Sequence, residues 1–386
     1  MPYNLNYLTA QRFQSELDVN SWTAGTCHRF PVETFILKSG DKSSSTPTEF
    51  TNVMNSKDHL VGTIICSLVL LSSFATLGHG AWGGPAEIRT TPTQNLELLV
   101  DRAAKATLEK FAEKKLEEKQ LSITLVDLSD PAHPQTASFR GNERVYPASV
   151  VKLFYLVAAH RWLEDKRIEE TPELRRAMKD MIVDSSNEAT QYIVDVLTHT
   201  TGGYELPPKE MEEWHYRRNA VNRYFGGLGF SNINVNQKTF CEDAYGREQV
   251  SRGPNGENRN KLTTDATARL LTEIVTRKAV TPRRSEQMME LLKRDYAGKA
   301  SDPDDQGHGF TGIALQGMEG VKLWSKAGWT SATRHDAAYL ELPNGARFVL
   351  VTFTTEHANE RDIIPTVTRV VIEGIGEVKQ QASIND

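Results

Sequence analysis

Cysteine is scarce in this chain: Cys27, Cys66 and Cys241 are all there is among 386 residues, which does not make a disulfide framework. Also missing are a His-Glu-x-x-His signature, a paired Cys-x-x-Cys, a P-loop and a Gly-x-Gly-x-x-Gly turn. Metal and nucleotide chemistry therefore have no recognisable anchor, and no cofactor is implied. The ten histidines are scattered. An excess of one charge is lacking too: a net charge of -5 and a pI near 6.1 give no electrostatic case for nucleic-acid binding. No internal repeat is visible. What remains, 39% hydrophobic and 25% charged, is the composition of an ordinary globular protein.

One long uncharged run stands out, LVGTIICSLVLLSSFATL at 60–77, with Lys57, Asp58 and His59 before it. It reads as a secretory leader with a small-x-small cleavage site at Gly78-His79-Gly80, and a retained anchor is the rival because about 18 apolar residues just span a bilayer. Met54 lies close enough to this run to be the start of translation. The expected organisation is an extension over 1–59, disordered or from a misassigned start, then a signal peptide or anchor over 60–80. A Gly/Pro/Thr-rich linker at 81–95, a catalytic domain over 96–378 and a tail at 379–386 follow. The expected location is periplasmic or secreted, membrane-anchored if 60–77 is kept, and the default state is a monomer.

Residues 96–120 are charged and helix-favouring, with Leu98, Leu99, Ala103, Ala106 and Phe111 available for an inward stripe. Segments 121–128 and 136–140 read as neighbouring strands around a proline turn. Helical spacing then governs the stretch from Val150, the set Leu174, Ala177, Met178, Met181 and Ile182, and the set Ala189, Ile193, Val196 and Leu197. Residues 238–261 lack an apolar period, which in a loop of that length points to function. Helices are expected over 263–278 and 281–294, strands over 321–325, 337–342 and 347–354, and a closing helix over 363–375. Strands at both ends with helices between them predict one α+β unit whose sheet the C-terminal strands complete.

Within that frame lie Ser149-Val150-Val151-Lys152, Ser185-Ser186-Asn187 and Lys326-Ala327-Gly328, in the order of the Ser-x-x-Lys, Ser-x-Asn and Lys-Thr-Gly motifs of penicillin-recognising serine enzymes. The chain carries its own controls: Ser39-Gly40-Asp41-Lys42, Lys38-Ser39-Gly40 and Ser383-Ile384-Asn385 repeat the patterns in polar or terminal segments and read as chance. A serine hydroxyl attacks only when a base takes its proton, so Lys152, one helical turn on, must spend time neutral, and a cation such as Lys326 beside it promotes that. The oxyanion donors would be the backbone N–H groups of Ser149 and Trp329. Taken alone, Ser149 is an ordinary N-cap, Lys152 a snorkelling side chain, and Ser185 and Asn187 turn and cap residues. As a set they read as nucleophile, base, proton relay (Ser185) and positioner of a substrate amide (Asn187).

SFRGNERVYPASVVK at 138–152, SSNEATQYIVDVL with TTGG, and SKAGWTSATRHDAAYLEL with FVLVTFTTE resemble class A β-lactamases over about 94–375. The resemblance implies an antiparallel sheet flanked by helices with a mainly helical subdomain, the β-lactamase and DD-peptidase arrangement, and β-lactam ring opening through an acyl-serine. It makes Lys326, Gly328 and Trp329 parts of the substrate cleft and Arg334 the grip on a substrate carboxylate, against an ion pair as the plain alternative. Four departures stand against it. Ser186 replaces the usual aspartate, Ala327 replaces a hydroxyl, and the interval from Ser149 to Ser185 is short. The deacylating glutamate has no full signature, so Glu242 is the first candidate and Glu248 the second. A DD-peptidase or esterase on peptidoglycan-type substrates, or a slowly deacylating penicillin-binding sensor, are the competing readings. In each the partner is a small molecule.

Overall fold

Four of the six strands are buried over most of their length on both faces, so the sheet needs cover on either side. The computed structural model describes residues 92–385 except 241–242 and 299–301. All of these elements belong to one compact unit. Helix α1 (Pro92–Lys110) leads to strands β1 (Leu121–Asp127) and β2 (Gln135–Phe139), and then to α2 (Lys152–Glu164), α3 (Pro172–Ile182) and α4 (Asn187–Thr198). There follow α5 (Pro208–Arg218), α6 (Ala220–Gly227), α7 (Gly246–Arg252), α8 (Thr264–Val275) and α9 (Pro282–Leu292). The chain closes with β3 (Lys293–Arg294), α10 (Thr311–Ala314), β4 (Lys322–Trp329), β5 (Thr333–Glu341), β6 (Arg347–Thr355) and α11 (Ile363–Asn385).

The strands form one sheet in the order β2-β1-β6-β5-β4-β3 with antiparallel pairing throughout. On one face Leu121, Ile123 and Leu125 of β1, Leu340 of β5 and Phe348 and Leu350 of β6 pack with α1 and α11. On the other, Tyr339, Val349, Val351 and Phe353 meet α8 and the helical layer built on α2. Helix α2 is buried nearly all round, as its apolar stretch from Leu153 to Ala159 requires. Phe154, Phe225 and Phe230 meet edge-to-face beside it, with centroids 4.9 to 6.0 Å apart. No described helix is long and apolar enough to cross a membrane.

The boundaries depart from the sequence reading in five places. Helix α1 stops at Lys110, where the chain tightens into a 3-10 turn (Ala112–Lys114) closed by left-handed Lys115 (φ 60°), and a second 3-10 turn carries it to β1. Strand β4 runs on through Lys326 to Trp329, and the loop at 238–261 contains α7. Helix α11 continues to Asn385, and α1 begins at Pro92, inside the expected linker.

Candidate active site

Three backbone segments carry the motifs to one place. The first is a 3-10 turn, Ala148–Val151, that feeds directly into α2. Ala148 holds a left-handed backbone (φ 47°) while buried, a conformation that costs a non-glycine residue energy and that aims the following Ser149. Ser149 itself is half-exposed. The second segment is the α3–α4 junction, where Ser185 is also left-handed (φ 55°). Here Ser186, not Ser185, caps α4, its Oγ accepting from the Ala189 N–H at 3.0 Å. The third is β4, which packs on the 3-10 turn through Gly328. A Cβ at Gly328 would lie 2.7 Å from the Ser149 nitrogen, 2.8 Å from that of Val150 and 2.9 Å from the Pro147 carbonyl oxygen. Only glycine lets the strand approach the Ser149 turn so closely.

Lysines from two of these segments meet at Ser185. Lys152, fully buried, donates from Nζ to the Ser185 carbonyl (2.5 Å), the Ser185 Oγ (3.2 Å) and the Asn187 Oδ1 (3.0 Å). Lys326, equally buried, donates to the same Ser185 Oγ at 2.9 Å, to Gln306 Oε1 at 2.5 Å and to the Ala327 carbonyl at 2.8 Å. Burial, and then the positive charges of Lys152 and Arg294, hold the Lys326 ammonium well below its ordinary pKa, against the pull of Asp336. A hydroxyl bridging two buried lysine amines is a path for a proton between them.

Gln306 is the member of this cluster that sequence reasoning missed. Besides Lys326, its Oε1 accepts from the Ala327 N–H at 3.3 Å, and its Nε2 donates to the carbonyls of Ile182 (3.0 Å) and Val183 (2.8 Å). It ties β4 to the end of α3, and no motif marks it.

The substrate side of the cleft differs from the expectation. Arg334, paired with Trp329 in the β4–β5 register, is buried. Its Nη1 donates to Asp304 Oδ1 at 2.8 Å, its Nη2 to the Gly309 carbonyl at 2.5 Å, and its guanidinium stacks 3.9 Å over Phe310. The fork is thus engaged by the protein, in a buried ion pair. Ala327 packs with Phe310 and Ile364, with the Trp329 ring alongside, so its methyl adds apolar contact where a hydroxyl would offer a donor.

Of the two glutamates, Glu242 lies outside the described residues. Glu248 is buried in a charge network: its Oε1 takes hydrogen from Arg218 Nη2 at 2.6 Å and lies 3.2 Å from Lys238 Nζ, and both cations also face Asp195. That network anchors α7 to α4 and α5. His335 bonds backbone through both ring nitrogens. Its Nδ1 accepts from the Thr354 N–H (3.1 Å), so Nε2 carries the proton and donates to the Tyr146 carbonyl (3.0 Å), just ahead of the Ser149 turn.

Burial lowers the pKa of His335 to about 4 from an ordinary 6.5. Between those values the unfolded chain binds a proton that the native state does not, so this contribution is complete above pH 6.5 and is lost as pH falls toward 4. The unfolding free energy is expected to drop by about 3 kcal/mol across that window from this ring alone. Urea midpoints at descending pH would check it; a His335→Gln variant with an unchanged pH slope would refute it.

An antiparallel sheet with a helical layer, and a Ser-x-x-Lys turn, a Ser-x-Asn junction and a Lys-x-Gly strand converging between them, define a serine-hydrolase scaffold of the penicillin-recognising kind. The model of the "Beta-lactamase enzyme family" matches residues 162–375, more than half of the chain, and the chain belongs to that family. Solved structures agree in fold. A β-lactamase from Sphaerobacter thermophilus DSM 20745 superposes with a TM-score of 0.52 at 19% identity, covering 71% of this chain and 97% of its own. PBP-A superposes with a TM-score of 0.50 at 17% identity, covering 73% and 97%. A variant of a reconstructed class A β-lactamase, the last common ancestor of Gram-negative bacteria, gives 0.50 at 18%, covering 72% and 99%. No curated protein matches the chain.

Proposed function

We propose that this protein is a serine hydrolase that opens β-lactam-type amides through an acyl-Ser149 intermediate. The observation that carries the reading is the convergence of Lys152 and Lys326 on the Ser185 hydroxyl, at 3.2 and 2.9 Å, beside the turn that presents Ser149. Lys152 takes the Ser149 proton as Oγ attacks the carbonyl carbon. The oxyanion that forms is held by the N–H groups of Ser149 and Trp329, with Gly328 setting their spacing. As the C–N bond breaks, the leaving nitrogen receives a proton relayed from Lys152 through Ser185, and Asn187 orients the substrate amide. Arg294, next to Lys326, keeps that side of the site cationic for a substrate carboxylate. Water activated by Glu242 then cleaves the ester. The leader-like run at 60–77 supports an extracytoplasmic location, periplasmic or secreted, for a domain of about the 96–378 span acting as a monomer.

A second reading has its own support. Arg334 is tied to Asp304, Ala327 has no hydroxyl, and Ser186 stands where the family usually has aspartate, all of which weaken the grip on a small bicyclic carboxylate. These features favour a DD-peptidase or esterase, or a penicillin-binding domain that deacylates slowly. Time-resolved intact mass of the protein with a penicillin separates the two. The first reading expects an adduct that decays as product appears. A persistent adduct, or turnover of D-Ala-D-Ala peptides without β-lactam turnover, would replace it with the second.

A further inference from the structure

A second cleft in the helical layer lies away from Ser149, where α2, α3 and α9 meet. It encloses about 740 Å³, within the range of small-molecule sites. Its apolar lining comes from Pro172, Met178 and Leu291. His160 of α2 also lines it, only 3% exposed, and neither ring nitrogen has a hydrogen-bond partner among the described residues. A buried polar group in that state is costly unless something completes its bonding. Burial and the nearby Arg284 hold its pKa down to about 4, so the ring is neutral and offers one donor and one acceptor.

The rim carries charge of both signs, and most of it is already matched. Glu170 pairs with Arg175 (3.1 Å) and Arg284 (3.5 Å), Arg176 with Glu173 and Asp180 (2.6 Å each), and Glu286 with Arg277 (3.2 Å). Lys179 on the α3 wall and Arg283 on the α9 wall have no ion pair among the described residues, with Glu290 the one rim carboxylate in the same position. Two cations on opposite walls, an apolar body between them and an unfilled imidazole describe a complementary guest. We infer that this cleft is a second ligand site, which takes a small organic carboxylate with an apolar or aromatic body. The body lies on Met178 and Leu291, the carboxylate meets Lys179 and Arg283, and a polar atom of the ligand bonds His160. Nothing in this assignment depends on the chemistry at Ser149.

The test is calorimetric titration of the full chain with 1-naphthoate, and with 1-naphthylmethylammonium as the cation of similar shape. Saturable binding of the carboxylate tighter than about 1 mM, and none of the ammonium, is expected. Lys179→Glu and Arg283→Glu, both at exposed positions, should each weaken it by about ten-fold or more while leaving the melting temperature unchanged. His160→Phe should weaken it to a similar extent, and His160→Gln, which restores a donor and an acceptor, should recover part of the loss. Equal binding of the two probes, no saturation, or affinity indifferent to Lys179 and Arg283 would overturn the assignment, even if the His160 variants fail to fold.

Discussion

Ser149→Ala is expected to lose the penicillin adduct altogether and to lower turnover by as much as about 10⁶-fold, the scale on which removing a serine nucleophile acts in other hydrolases. The size follows from the division of labour at the site. In the proposed mechanism Lys152, Ser185 and Lys326 only move a proton or hold charge, and none of them can replace the oxygen that forms the ester. The variant should fold as the parent does, because the Ser149 hydroxyl has no hydrogen bond among the described residues and caps no helix. A stability change within about 0.5 kcal/mol is therefore expected, which separates a chemical loss from a structural one. Intact mass and chemical denaturation on the same sample read both. An adduct of undiminished yield on Ser149→Ala would remove Ser149 from the mechanism.

The places where sequence and structure part company follow from what a linear pattern can carry. The three motifs and the sheet strands were legible because their signals are local: a serine one helical turn from a lysine, alternation along 121–128, a Pro-Asn-Gly turn between β5 and β6. The apolar pattern of β4 runs only to Ser325, and Lys326 interrupts it. In the fold that lysine is fully buried because Ser185, Gln306 and its own strand supply three acceptors, a compensation spread over distant parts of the chain. Gln306 and Asp304 were invisible for the same reason. A glutamine and an aspartate in a polar loop have no periodicity, and their roles exist only once β4 and α3 are adjacent. Helix α1 shows the opposite failure. Its charged continuation keeps helical composition past Lys110, and the 3-10 turn that follows, closed by left-handed Lys115, has no glycine to announce it. The Ser-x-Asn motif divides more finely than the pattern suggests: Ser186 holds the helix end, which leaves Ser185 facing both lysines.

Gly328→Ala is expected to reduce turnover by about 10² to 10³-fold, the loss associated with a displaced oxyanion donor. The argument is steric before it is chemical. The new methyl would meet the Ser149 and Val150 nitrogens and the Pro147 carbonyl inside 3.0 Å, and all three are backbone atoms of a turn already carrying the left-handed Ala148. No side-chain rotation relieves such a contact, so β4 and the turn must separate. The N–H groups of Ser149 and Trp329 sit on the two sides of that separation and move apart with it. Overpacking at a buried position also lowers stability, by about 1 to 3 kcal/mol, so activity must be measured well below the unfolding transition. Gly226→Ala in α6 is the matched control: a Cβ there meets nothing within 4 Å and the backbone is helical, so activity should stay at the parent level. If Gly328→Ala and Gly226→Ala were equally active, the close approach of β4 to the nucleophile turn would have no part in catalysis. A loss confined to Gly328→Ala, in kcat more than in KM, would tie the oxyanion geometry to that single missing side chain.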